Sequence, residues 1–174
     1  GHITVESAEG EGTVFRVYLP VARQTAEVVH EDGAMDGAGG KGECVEETDI
    51  LVMDDDETVR HFVQTVLEQC GHRVTAVGDG RAAIEAYVKG LEAERPFGLV
   101  IMDLTVSGGM GGQQAAAEIL KVDPAAKLIV SSGYSTDPVL AHYEVYGFVG
   151  RVNKPYLPET LYAVIDEVLS KYEV

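Results

Sequence analysis

Ile50-Leu51-Val52-Met53-Asp54-Asp55-Asp56-Glu57 is the stretch that decides the fold. Four consecutive apolar residues end abruptly in a run of acids. Behind them Val59, Phe62, Val63, Val66, Leu67 and Cys70 recur at i, i+3, i+4, i+7, i+8 and i+11, which is one face of a helix. A short apolar run without polar alternation fits a strand covered on both sides, as in a parallel sheet between two helical layers. The acids therefore stand at the carboxyl end of a buried strand, where open parallel sheets bind their ligands.

Downstream the same unit repeats. Arg73–Val77, Leu99–Met102, Leu128–Val130 and Phe148–Val152 read as strands. Helical periods fall at Arg81–Lys89, Gln113–Lys121 and roughly Pro138–Tyr146, and Asp123-Pro124 makes a turn. A last helix carries Leu161, Val164, Ile165, Val168, Leu169 and Tyr172 on one face. Five strands alternating with five helices predict an α/β fold, a doubly wound parallel sheet with helices on both faces.

Upstream the pattern is different. Residues 3–7 and 13–19 alternate apolar and polar residues about a Glu9-Gly10-Glu11-Gly12 turn, which predicts a hairpin. Two strands alone are marginal in water, so the pair is expected to belong to a larger sheet or to dock on something. Residues 21–49 have no sustained period and are rich in Gly, Glu, Asp and Ala, the composition of a flexible acidic linker.

The whole chain has 174 residues and a formal charge of −16. Residues 1–49 hold 11 acids and 3 bases, net −8, and residues 50–174 hold 18 acids and 10 bases, again −8. The short first part is much the denser in charge, which supports a boundary near residue 48. An acidic chain repels phosphate backbones, which argues against nucleic-acid binding. No apolar run approaches the ~18 residues of a membrane span. Cys44 and Cys70 give neither a disulfide framework nor a zinc spacing, so a cytoplasmic setting is the expectation.

The remaining strand ends supply Asp103 after the third strand, Ser131 and Ser132 after the fourth, and Asn153-Lys154-Pro155 after the fifth. Singly, each has an ordinary structural use: Asp56 as a helix cap, a hydroxyl in a turn, a lysine at the surface. Jointly they bring carboxylates, a hydroxyl and an ammonium to one crevice. Clustered carboxylates raise one another's pKa unless a cation intervenes, and Mg²⁺ suits a hard oxygen site. Beside such a cation Asp103 can attack phosphorus, with Lys154 and a serine hydroxyl on the other phosphoryl oxygens.

These residues resemble the receiver domain of response regulators in two-component signalling, over about residues 48–172. ILVMDDDE (50–57), IMDLTVSGGMGG (101–112), IVSSGYS (129–135) and NKP (153–155) carry the resemblance. It implies a flavodoxin-like (βα)5 fold with strand order 2-1-3-4-5 and a receiver spanning 48–174. It implies Asp103 as phosphoacceptor and Asp54 and Asp55 as the acid pair at Mg²⁺, with the backbone carbonyl of Thr105 as a further ligand. Ser132 is then the switch hydroxyl, Lys154 its partner at the phosphoryl group, Gly133 the small residue beside the phosphoryl path, and Lys154-Pro155 a cis peptide. Such a domain assists its own phosphorylation and dephosphorylation, and its partners are a histidine kinase or a histidine phosphotransfer protein. Two departures stand out. Arg151 occupies the usual aromatic switch position, and Ser107 stands where a Pro is common, in a small-residue loop expected to be mobile. Thr105 and Tyr134 are expected to flank the path of the hydrolytic water.

Residues 1–20 resemble the end of a histidine-kinase ATP-binding domain, through Gly12, Thr13 and Phe15. With the linker over 21–47, this is the layout of a hybrid histidine kinase, whose full chain is an ATP-dependent protein kinase and can be membrane-anchored. The nucleotide-binding loops of such a kinase are not in the sequence, and none of the five histidines has the flanks of a phosphoacceptor box, so this chain alone is expected neither to bind ATP nor to autophosphorylate on histidine. The rival is a phosphatase of the haloacid-dehalogenase type. There Asp54-Asp55-Asp56-Glu57-Thr58 is the strand-1 motif, Asp54 the nucleophile and Asp56 the acid, but Asp103 is left without a role. A receiver that only binds partners is a third possibility, disfavoured because all the chemical residues are present.

Overall fold

The computed structural model describes residues 2–8, 12–18, 47–133 and 137–171. Residues 21–46 of the expected linker, and Tyr134, lie outside them. The chain divides into two units.

The first unit holds β1 (His2–Ala8) and β2 (Gly12–Tyr18), paired antiparallel with Ile3 opposite Val17 and Val5 opposite Phe15. Those four apolar side chains are each about 60% exposed, and Val14 and Tyr18 of β2 are exposed too. Both strands thus present apolar surface to solvent.

The second unit is a βα alternation: β3 (Asp49–Met53), α1 (Glu57–Gln69), β4 (Arg73–Val77), α2 (Gly80–Glu92), β5 (Leu99–Asp103), α3 (Gly112–Val122), β6 (Leu128–Ser132), α4 (Pro138–Ala141), a 3-10 turn at Tyr143–Tyr146, β7 (Gly150–Asn153) and α5 (Pro158–Lys171). The sheet is parallel with order β4-β3-β5-β6-β7, which is 2-1-3-4-5 counted from β3. The expected doubly wound fold is present.

Alternate residues of the central strands feed two cores. Leu51, Met53, Val100, Met102, Leu128 and Val130 pack with Ala83 and Tyr87 of α2 and Ala115, Ala116 and Ile119 of α3. Ile50, Val52, Leu99, Ile101, Ile129 and Val152 face the other way, onto Val63, Val66 and Leu67 of α1 and Leu161, Ile165, Val168 and Leu169 of α5. This two-sided burial is why these strands carry no polar alternation.

Helical spacing puts Phe62 on the apolar face of α1; it is 39% exposed there, while Val63, Val66 and Leu67 are buried and Val59 and Cys70 half-buried. Phe62 lines an apolar groove of about 590 Å³ with Val59, Pro155 and Tyr156. The helix expected over 138–146 is only one α-turn long, followed by the 3-10 turn. The Leu140 carbonyl, which would accept from the Glu144 N–H in a continuing helix, instead accepts from Arg151 Nη1 at 3.0 Å. The same guanidinium lies 5.7 Å from the centre of the Tyr143 ring. Arg151, at the position where an aromatic was expected, thus engages both the end of α4 and the turn after it.

Candidate functional site

Strand ends build the site. At the end of β3, Asp54 is almost wholly buried, and its N–H donates to the Val77 carbonyl at 3.1 Å. Its Oδ1 accepts the Asp56 N–H at 3.0 Å, which bends the chain out of the strand. Asp56 caps α1, accepting from the N–H groups of Thr58 and Val59. At the end of β5, Asp103 is 5% exposed and in register with Ser131. Ser132 ends β6 opposite Asn153 of β7, and the cis Lys154-Pro155 peptide follows.

Lys154 Nζ lies 2.5 Å from Asp54 Oδ2 and 3.1 Å from Asp103 Oδ2. Carboxylate oxygens of Asp54, Asp55 and Asp103 all lie within 4.8 Å of one another. Asp55 is exposed, and its Oδ2 accepts the Ser107 N–H at 2.9 Å. A cavity of about 290 Å³ opens over the group, lined also by Asp56, Thr105, Ser107 and Gly133.

The electrostatics follow from this packing. Burial raises the Asp103 carboxyl above the usual carboxylate range; the charge of Lys154 and its hydrogen bond oppose the shift, and the charge of Asp54 adds to it. Burial pulls the Lys154 ammonium down, but its bond to Asp54 and the charges of Tyr156, Asp103 and Asp54 outweigh that and leave it raised. The Ser107 N–H holds Asp55 below the usual range, against burial. One ammonium among three carboxylates leaves the pocket net negative. Oxygen donors so placed suit a hard divalent cation with retained waters.

The fold thus brings Asp54, Asp55, Asp103, Thr105 and Lys154 to one cavity. Ser132 is buried at its edge, and Gly133 rather than Ser132 lines the cavity wall. Three partners were not foreseen. Arg60 Nη1 donates to the carbonyls of Asp54 at 2.7 Å and Asp55 at 3.0 Å. Ser107 holds Asp55 through its backbone N–H and also through its side chain. Ser131 and the Tyr156 hydroxyl are hydrogen-bonded, and burial pushes the Tyr156 phenol up to about 12. Ser131 was already placed at the end of the fourth strand; its pairing with Tyr156, 25 positions away, left no local signal. The small-residue loop after β5 has a packing role as well. A Cβ on Gly111 would fall 2.5 Å from the Leu104 carbonyl oxygen, and one on Gly112 would fall 2.5 Å from that of Asp103.

Comparison with known proteins agrees with this fold. The model of the response regulator receiver domain matches residues 50–166, and the chain belongs to that family. It is similar to the chemotaxis protein CheY of Thermotoga maritima, 29% identical over 120 residues that cover 68% of this chain and 95% of CheY. It is also similar to the sensor kinase CckA of Brucella abortus, 28% identical over 181 residues that cover 99% of this chain and 18% of CckA. Among solved structures, a receiver domain protein from Clostridium thermocellum superposes with a TM-score of 0.65 at 20% identity, covering 71% of this chain and 95% of that one. This is a receiver domain of two-component signalling, and the phosphatase reading is not favoured. No described helix is long and apolar enough to cross a membrane.

Proposed function

We propose that this domain takes a phosphoryl group from a phosphohistidine onto Asp103, with Mg²⁺ held by Asp54, Asp55, Asp103 and the Thr105 carbonyl. The observation that carries this is the burial of Asp103 beside two further carboxylates, with its Oδ2 3.1 Å from Lys154 Nζ. In the transfer an Asp103 oxygen forms a bond to phosphorus as the P–N bond to histidine breaks, and the electron pair leaves on the imidazole nitrogen. Bound Mg²⁺ offsets repulsion between the carboxylate and the phosphoryl oxygens. Lys154 gives up part of its pairing with Asp103 to hold a phosphoryl oxygen, and Ser132 turns in from the end of β6. The new charge then biases a two-state element made of β6, α4 and β7, with Arg151 in place of an aromatic at its edge.

The wider layout is that of a hybrid histidine kinase in the cytoplasm, with residues 1–20 the end of the kinase ATP-binding domain and 21–47 a linker to the receiver at 48–174. Two facts support this: the similarity to CckA extends over 99% of the chain, and the hairpin leaves apolar side chains exposed that a larger sheet would cover. The donor and acceptor partners are then a kinase histidine or a histidine phosphotransfer protein.

Phosphotransfer from labelled phosphohistidine donors to wild type and Asp103→Asn tests the assignment. Label that alkali and neutral hydroxylamine both remove from wild type, and none on the variant, is expected. Label retained by Asp103→Asn, or mapped to Asp54, overturns it.

A further inference from the structure

We infer that Arg60 is a positioning residue for the acid pair and thereby sets the cation affinity of the pocket; this rests on the reading that Asp54, Asp55 and Asp103 take Mg²⁺. Arg60 lies one turn into α1, and a single guanidinium nitrogen donates to two consecutive carbonyls, those of Asp54 and Asp55. In a strand, successive carbonyls point to opposite sides. Their convergence on one donor therefore defines how the chain leaves β3. The same short segment is held by the Asp54 N–H on Val77 and by Asp54 Oδ1 on the Asp56 N–H. Gly78, after β4, lies alongside the guanidinium, close enough that an added Cβ would touch Nη1 at 3.6 Å.

The two acids depend on this tether unequally. Asp54 is buried and also bound to Lys154, so its carboxylate has other anchors. Asp55 is exposed, and its carboxylate is anchored by the Ser107 N–H from a loop containing Gly108 and Gly109. Arg60 fixes the Asp55 backbone through its carbonyl. A ligand held at both ends loses less freedom when it meets a cation, and groups that orient metal ligands in this way change affinity by ~10–100-fold when removed.

The charge of Arg60 pulls in the opposite direction, because a guanidinium near the pocket repels a dication. The sign of the effect therefore distinguishes positioning from simple electrostatics. Calorimetric Mg²⁺ titration of the full chain, as wild type, Arg60→Ala and Arg60→Lys, is the test. Arg60→Ala should bind about tenfold more weakly, and Arg60→Lys, whose ammonium can donate to the same carbonyls, should recover most of the loss. Without metal, amide exchange at Asp55 and Asp56 should speed up in Arg60→Ala and return towards wild type in Arg60→Lys. If the alanine variant does not fold, Arg60→Gln takes its place, with the same loss expected. Binding in the neutral variant that equals or exceeds wild type overturns the inference, as does a lysine variant no better than alanine. A wild-type chain that takes up no Mg²⁺ overturns the cation reading and this inference with it.

Discussion

Replacing Asp103 by Asn should make the metal-free protein more stable at neutral pH. Asp103 is 5% exposed, so its charge is held with little help from water. At an effective dielectric of 20, Lys154 at 3.1 Å attracts it by about 5 kcal/mol. Asp54, within 4.8 Å, repels it by about 3.5 kcal/mol, and Asp55 repels it by less because it is exposed and screened. The charge terms nearly cancel, which leaves the desolvation of a buried carboxylate to decide the balance. Asn keeps the shape and removes that cost, and Lys154 retains Asp54. A gain of about 2 kcal/mol is expected, or about 1 M in urea midpoint.

The pH dependence follows from the raised Asp103 carboxyl. Its folded form binds a proton more tightly than its unfolded form. The wild type is therefore favoured below the ordinary carboxylate value and loses that advantage as pH rises through the folded pKa. The gap between Asp103→Asn and wild type should be near zero at pH 3–4 and full at pH 7, roughly the span fixed by the ordinary carboxylate value. Mg²⁺ should narrow it at pH 7, since a ligand at 100 times its Kd stabilises the wild type by about 2.7 kcal/mol. Urea unfolding followed by circular dichroism, with and without EDTA, gives every number needed. A variant less stable than wild type at pH 7 without metal, or a gap unchanged at pH 4, refutes the reasoning.

Three further outcomes are expected. Gly112→Ala should cost more than about 2 kcal/mol in urea unfolding and weaken beryllofluoride binding, because its Cβ drives into the Asp103 carbonyl. Tyr156→Phe should cost about 1–3 kcal/mol by leaving the buried Ser131 hydroxyl unpaired, and Tyr156→Phe with Ser131→Ala should cost less than the two singly added. Arg151→Ala releases the Leu140 carbonyl, so carbon chemical shifts across 141–146 should move towards α-helical values; unchanged shifts would show that another contact ends α4.

Much of the fold was legible because burial leaves a local trace. The apolar runs at Ile50–Met53, Leu99–Met102 and Leu128–Val130 reported two-sided burial, and the polar residues that end each run reported the carboxyl edge of the sheet. The exposure of Phe62 was not legible for the same local reason: helical spacing shows a shared side of α1, not how far the neighbouring layer extends over it. The end of α4 was equally hidden, since the guanidinium that takes the Leu140 carbonyl comes from a strand beyond the following turn.

By itself, then, the sequence determined the α/β alternation, the charge division near residue 48 and the carboxylates and ammonium of the site, all of which depend on residue type and short spacing. Tertiary structure decided that Lys154 sits between Asp54 and Asp103, that Ser107 restrains Asp55, that Arg60 gathers the carbonyls of the acid pair and that Ser131 meets Tyr156. The longest of these links join groups 100 and 52 positions apart along the chain, Asp54 with Lys154 and Asp55 with Ser107. Their distances depend on strand order and register, which no local period records.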